Sequence, residues 1–172
     1  MPKLFSLKVL VWLILAFIWS TTWIFIKIGL DDLPPIAFLS ARFLISVGIL
    51  FVVIRIQNIP LPRTAVEWRL IALTGVLQFG INYSMVFWAE QYISSGLAAV
   101  LQATITVFGL VLAWIFLPDE RITAQKMIAV AIGVIGVAVI FNGQLRVENW
   151  LAFAGCVAIV VGAYAAAQAS IL

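Results

Sequence analysis

Long uncharged runs separated by short charged stretches dominate the chain, and this pattern predicts membrane-spanning helices. A helix needs about 20 residues to cross the hydrocarbon core of a bilayer, and most of the runs reach that length. The second run does so when it is extended back across Arg42 to the Pro34–Pro35 pair. The pattern predicts six hydrophobic helices, near residues 8–30, 35–56, 69–89, 95–117, 124–142 and 150–171.

The composition places this pattern in a membrane protein. Of the 172 residues, 65% are hydrophobic and only 10% are charged, whereas soluble domains carry roughly 25% charged residues. The expected fold class is therefore all-α, a polytopic transmembrane helical bundle. Because the connections are short, neighbouring helices are expected to run antiparallel.

The distribution of Lys and Arg predicts the orientation, because cytoplasmic loops carry an excess of both. With a cytoplasmic N-terminus, seven basic residues lie inside, namely Lys3, Lys8, Arg55, Arg63, Arg69, Arg121 and Lys126. Arg146 alone lies outside, and Lys27 and Arg42 lie within spans. We expect a multi-pass protein of the cell inner (plasma) membrane with its N-terminus in the cytoplasm.

Polar side chains recur on one face of the third and fourth helices. Thr74, Gln78 and Asn82 are spaced by four residues, and Gln102 and Thr106 share a stripe with small residues. Polar groups at bilayer depth are costly unless they face other helices or a water-filled cavity. The pattern favours a polar cavity shared by the two helices, and hydrogen bonding between helices without transport is the alternative.

Three tryptophans and a lysine occupy one side of the first helix. They are Trp12, Trp19, Trp23 and Lys27, at successive spacings of seven, four and four residues. Aromatic belts lie at the membrane surfaces, but Trp19 is near mid-span. It either faces lipid or forms a wall of a ligand site. The predicted substrate-binding set is Trp19, Trp23, Gln78, Asn82, Gln102 and Thr106.

Two basic residues inside spans need an explanation. Lys27 is close enough to the end of its helix for its long stem to reach the outer surface. Arg42 lies seven residues past Pro35, about 10 Å deep at 1.5 Å per residue, where a guanidinium should be paired. The expected partners are Asp31, Asp32 and Glu90. Lys27, Arg42 and Glu90 are thus candidates for an ion pair or for gating of the outer side.

Small residues line one face of the fifth and sixth helices. They are Ala129, Gly133 and Gly136 on the fifth, and Gly155, Ala158, Gly162, Ala165 and Ala169 on the sixth. Such stripes let helix backbones approach closely in lipid. We expect tight packing of both helices.

Enzymatic chemistry is not expected. The chain has no His, and it shows no nucleotide-binding glycine loop, no paired carboxylates within a span and no clustered metal ligands. We predict no catalytic residues, no metal site and no cofactor. The net charge of +3 requires no nucleic-acid partner, because the basic residues sort by membrane side.

Several ordered motifs resemble the first repeat of an EamA-type member of the drug/metabolite transporter superfamily. The resemblance covers five helices, about the first 142 residues. It is carried by WSTTWIFIKIGL, LPPIAFLSARF, YISSGLAAVLQATITVFGLVLAWIFLPDERIT and IGVIGVAVIF. One departure is Thr106, which stands where the family often places a proline in the fourth helix.

The resemblance implies a ten-helix protein of two inverted five-helix repeats that carries small metabolites or drugs through a central cavity by alternating access. Residues 1–145 would then form the first repeat and residues 146–172 the sixth helix, the start of an incomplete second repeat. The chain is accordingly expected to be truncated. Its partners would be a small-molecule substrate, the bilayer, and the missing second half or a second copy of the chain.

The expected function is export of amino-acid-like metabolites or drugs. Two alternatives remain open. The first is a membrane scaffold or assembly subunit that does not transport. The second is an antiparallel dimer, as in small multidrug transporters, although the first helix lacks their embedded glutamate and the charge bias disfavours dual insertion.

Overall fold

The computed structural model describes residues 7–117, 123–140 and 149–172, and within these residues every regular element is helical. The six helices are α1 (Leu7–Asp32), α2 (Pro35–Gln57), α3 (Ala65–Ala89), α4 (Ser95–Phe116), α5 (Ala124–Ile140) and α6 (Trp150–Ala169). All but α5 are long and apolar enough to cross a membrane. The all-α class is confirmed, and the chain is a multi-pass membrane protein.

Some sequence-based predictions lie outside the described residues. These are the end of the fifth helix at 142, the boundary between 145 and 146, and the charges of Lys3, Arg121 and Arg146.

Helix α3 begins four residues before its predicted start because a capping box lies there. The Thr64 hydroxyl accepts from the Glu67 backbone N–H, and the Glu67 carboxylate accepts from the Thr64 N–H at 3.0 Å. This reciprocal pair satisfies two N–H groups that have no partner within the helix. Arg69, predicted to open the helix, instead lies exposed inside its first turns.

Helix α6 packs against α3 and α4 and is the most buried of the helices. Its glycines explain the close approach. A Cβ at Gly155 would lie 3.4 Å from Ala89, and one at Gly162 would lie 3.1 Å from Oδ1 of Asn82. The predicted packing role of the helix-six stripe is confirmed at these two glycines.

The stripe on α5 does not pack as predicted. Gly133 and Gly136 are exposed, and a Cβ at either would meet nothing within 4 Å among the described residues. Helix α5 lies at the edge of this bundle and packs against α4. The expectation of close packing at Gly133 is therefore wrong for the part of the chain that the structure describes.

Helices α1 and α2 complete the bundle on the side away from α6. Helix α2 packs against the end of α3, where the Phe38 and Phe87 rings meet edge to face with centroids 5.4 Å apart. Helix α1 packs against α2 and the first half of α4. Their remaining faces are apolar and exposed, as expected for helix surfaces that contact lipid.

Candidate substrate cavity

A cavity of about 300 Å³ lies among α1, α2, α3 and α4. This volume is at the lower end of the roughly 300–1,000 Å³ found for small-molecule sites. It is lined by Ile18, Trp19, Thr22, Trp23, Ile26, Arg42, Gln78, Asn82, Tyr83, Val86, Gln102 and Ile105. The structure thus brings together five of the six predicted substrate-binding residues, all except Thr106.

Helix α1 supplies the aromatic wall. Trp19 lines the cavity and is also 63% exposed, so it lies at the rim and faces both the cavity and the outside. Trp23 is half-buried and lies deeper against the core. Thr22, which sequence reasoning missed, donates its hydroxyl hydrogen to the Ile18 carbonyl at 2.8 Å.

The polar wall comes from a π-helical stretch, Val76–Tyr83, in the middle of α3. It carries Gln78, Asn82 and Tyr83, all of which line the cavity. A π-helical turn holds more residues than an α-helical turn and is frequent at functional sites. The spacing of four residues gave no sign of this change in winding, although it did place Gln78 and Asn82 on one face.

Asn82 and Gln102 join α3 to α4. The Gln102 side-chain amide donates to Oδ1 of Asn82 at 2.9 Å. Asn82 is only 2% exposed, and it lies against α6 at Gly162. Asn82 is therefore a packing residue as well as part of the cavity wall, and this bond is the interhelical hydrogen bonding that the sequence left open.

Thr106 lies away from the cavity because α4 is interrupted at Ala103. There the Thr106 N–H donates to the Ala103 carbonyl, and the Thr104 hydroxyl donates to the Leu101 carbonyl at 2.6 Å. Beyond the interruption Thr106 is exposed and lines a groove between α4 and α5, beside Ala129. Gln102 and Thr106, which were predicted to share one surface of the fourth helix, thus line two different sites.

Arg42 lines the cavity from α2, and its guanidinium carbon is 6.0 Å from the centroid of the Tyr83 ring. A cation over an aromatic face is attracted by the ring quadrupole. Within residues 7–117, 123–140 and 149–172, Arg42 forms no ion pair with the expected partners. Two of those, Asp31 and Asp32, are exposed at the end of α1.

Lys27 and Glu90 meet at the turn between α3 and α4. The Lys27 ammonium donates to the backbone carbonyls of Glu90 and of Ile93, the latter at 3.1 Å. The Lys27 stem thus reaches the turn at the end of α3, and its extension to the outer membrane surface stays a prediction. A cation at a helix C-terminus also interacts favourably with the helix dipole.

Glu90 is the first residue after α3, and its side chain is fully buried. In the described part of the chain neither of its carboxylate oxygens has a hydrogen-bond partner. Burial raises the pKa of Glu90 to about 8, and the positive charge of Lys27 acts in the opposite direction. The carboxyl group is thus favoured in its neutral form near neutral pH.

Comparison with known proteins gives a family match and several relatives. The model of the EamA-like transporter family matches residues 6–142. The uncharacterized inner membrane transporter YedA of Escherichia coli (strain K12) is 32% identical over 162 residues, covering 91% of this chain and 50% of YedA. An uncharacterized transporter of Archaeoglobus fulgidus is 36% identical over 135 residues, covering 75% of this chain and 46% of that protein.

The uncharacterized transporter YoaV of Bacillus subtilis (strain 168) is 26% identical over 147 residues, covering 85% of this chain and 50% of YoaV. The chain thus spans about half the length of these curated relatives. No solved structure matches it.

Proposed function

The chain belongs to the EamA-like transporter family, and we propose that it takes part in exporting small metabolites or drugs, with the cavity between α1 and α4 as part of the substrate path. The observation that carries this proposal is the composition of the cavity wall. Tryptophans stand on one side and amides on another, a mixture typical of sites for small amphipathic ligands. The curated relatives are likewise named as transporters.

The preferred mechanism is alternating access, in which a site near the middle of the membrane opens to one side at a time. Two features of the cavity wall support it. The π-helical stretch of α3 and the interruption at Ala103 in α4 are departures from regular winding beside the site. Irregular helix segments at membrane depth are tolerated where they are buried in protein or line a cavity.

We further propose that the protein lies in the inner membrane with its N-terminus in the cytoplasm. Lys8 at the start of α1, Arg55 at the end of α2, Arg63 before α3 and Lys126 at the start of α5 fall on one side if the helices alternate in direction. Retention of Lys and Arg on the cytoplasmic side favours this orientation. The name of YedA as an inner membrane transporter supports the location.

Transport is proposed to need further helices, from the same chain or from a second copy. The relatives are about twice as long as this chain. A denaturing gel of the protein expressed from its own gene distinguishes the two sources. A band near twice 18.9 kDa indicates a longer chain, and a band near 18.9 kDa that crosslinks to a dimer indicates two copies.

Gln78 is the residue with which to test the cavity. It is half-buried, lines the cavity and makes no side-chain hydrogen bond within the described residues. Gln78→Ala should therefore leave folding intact while removing a polar contact to substrate. Gln57→Ala, at the exposed end of α2, is the matched control.

The assay is exchange transport by the protein expressed from its own gene and reconstituted in liposomes, with radiolabelled amino acids and chloramphenicol as substrates. Gln78→Ala should lower apparent affinity about threefold to tenfold, as expected for loss of one neutral hydrogen bond, and Gln57→Ala should not. Unchanged transport by both Gln78→Ala and Trp23→Ala would exclude the cavity as the path. Asn82→Ala is unsuitable alone, because it also removes the bond to Gln102.

A further inference from the structure

Arg42 carries a charge in the cavity that the described protein does not balance. Among the described residues that line the cavity, it is the one with a charged side chain. Its contact is the face of the Tyr83 ring, which offers no anionic oxygen. A guanidinium below the membrane surface is costly unless it is paired or hydrated.

Among the residues that the structure describes, the acidic side chains near this end of the bundle lie away from Arg42. Asp31 and Asp32 are exposed where α1 ends. Glu90 is enclosed beside the α3–α4 turn, where the charge that acts on it is that of Lys27. These three described side chains are thus accounted for without Arg42, and the guanidinium lines the cavity.

From this placement we infer that Arg42 binds the carboxylate of an organic acid or amino acid whose apolar part lies against Trp19 and Trp23. The inference rests on the proposed function and adds the class of substrate to it. Arginine suits this role because its planar fork can donate two parallel hydrogen bonds to one carboxylate. The tryptophan rings supply the apolar surface that such a ligand needs, while Gln78 and Asn82 offer neutral polar contacts.

Pairs of ligands that differ only in charge provide the test. Phenylacetate and indole-3-acetate are anions, and phenylacetamide and indole-3-acetamide are their neutral counterparts of nearly the same shape. Binding to the purified protein expressed from its own gene is measured as ligand-dependent stabilisation against heat. The wild type should bind at least one acid about tenfold or more tighter than its amide, the effect of a hydrogen-bonded charge.

Substitutions at position 42 should change this preference in a graded way. Arg42→Gln should bind acid and amide about equally, and Arg42→Lys should keep part of the preference, because a point charge remains without the fork. Arg55→Gln is the control, because Arg55 lies at the other end of α2 over the Phe51 ring. It should behave as the wild type. If Arg42→Gln fails to fold, the comparison of acids with amides in the wild type and in Arg42→Lys still decides.

Three results overturn the inference. The first is a wild-type protein that binds each amide as tightly as its acid, and the second is an Arg42→Gln protein that still binds acids more tightly than amides. The third is that neither acid binds up to millimolar concentrations. An acidic group elsewhere in the protein that neutralises Arg42 would produce the first result. The proposed function fails differently. Transport of neutral chloramphenicol that depends on Gln78, without any preference for acids, leaves the function intact and removes only the carboxylate site.

Discussion

Replacing Lys27 by Met should destabilise the protein through the turn between α3 and α4. The Lys27 ammonium donates to the carbonyls of Glu90 and Ile93. Methionine has a similar apolar stem but no donor, so both carbonyls lose a charged partner. Because the ammonium joins α1 to the turn between α3 and α4, the loss should affect the bundle as a whole.

The size of the effect follows from the two hydrogen bonds. A hydrogen bond to a charged group contributes about 1.5–3 kcal/mol, and removal of the ammonium also recovers its cost of burial. We therefore expect a net loss of about 2–3 kcal/mol, which is smaller than the sum of the two bonds. For a chain of this size each kcal/mol lowers Tm by about 2–4 °C, so Lys27→Met should melt about 4–12 °C below the wild type.

The measurement is thermal unfolding of the purified protein in detergent, followed by tryptophan fluorescence. Lys8→Met is the matched control, because Lys8 lies exposed in the first turn of the same helix. Its Tm should stay within about 2 °C of the wild type, as usual for exposed substitutions. A Lys27→Met protein that melts within the same margin would refute the capping role, as would an equal loss in both variants.

Three further predictions address acidity, packing and topology. The stability contributed by neutral Glu90 is fully present below pH 4.5, the ordinary pKa of a glutamate, and is lost as pH rises through about 8. Tm should therefore fall between these two pH values, and Glu90→Gln should make the fall smaller. A fall of the same size in Glu90→Gln would contradict this. Gly162→Leu should sharply lower folded yield, measured by size-exclusion chromatography, because a side chain at that position meets Asn82. Gly133→Leu is the control and should fold normally. Equal yields of the two variants would contradict close packing of α6 at Gly162. In a protein without its native cysteine, Asp32→Cys should react with an impermeant thiol reagent from outside, and Arg63→Cys only after permeabilisation; labelling of Arg63→Cys in intact cells reverses the orientation.

The helices could be predicted from the sequence because the bilayer imposes both their length and their apolar character. The positions of α2 and α4 match the prediction closely, since a proline pair and Ser94 mark where they start. The start of α3 was predicted four residues too late, because a charged residue such as Glu67 suggests a loop unless its bond to the Thr64 N–H is recognised. That capping box was available in the sequence as Thr64 followed three residues later by Glu67.

The cavity was only partly predictable because it depends on local winding. The spacing of polar residues predicted that Gln78, Asn82 and Gln102 line one cavity, and all three do. Thr106 was predicted to join them, but it lies in a different groove beyond the interruption at Ala103. Thr22 could have been found, since it follows Trp19 by three residues and so shares its face. The sequence analysis grouped Lys27 with Glu90, but the bonds of the ammonium to backbone carbonyls could not be predicted, because the turn that carries them is more than 60 residues away in the chain.

The packing of α6 is tied directly to the cavity through Asn82. The amide of Asn82 lies between the backbone of α6 at Gly162 and the side chain of Gln102 on α4. Because no side chain separates Gly162 from Asn82, a shift of α6 along α3 would displace this amide and the polar wall with it. Packed interfaces respond to such shifts by adopting discrete alternative arrangements. In the alternating-access cycle proposed above, the contact between Gly162 and Asn82 would therefore couple movement of α6 to the polar wall of the cavity.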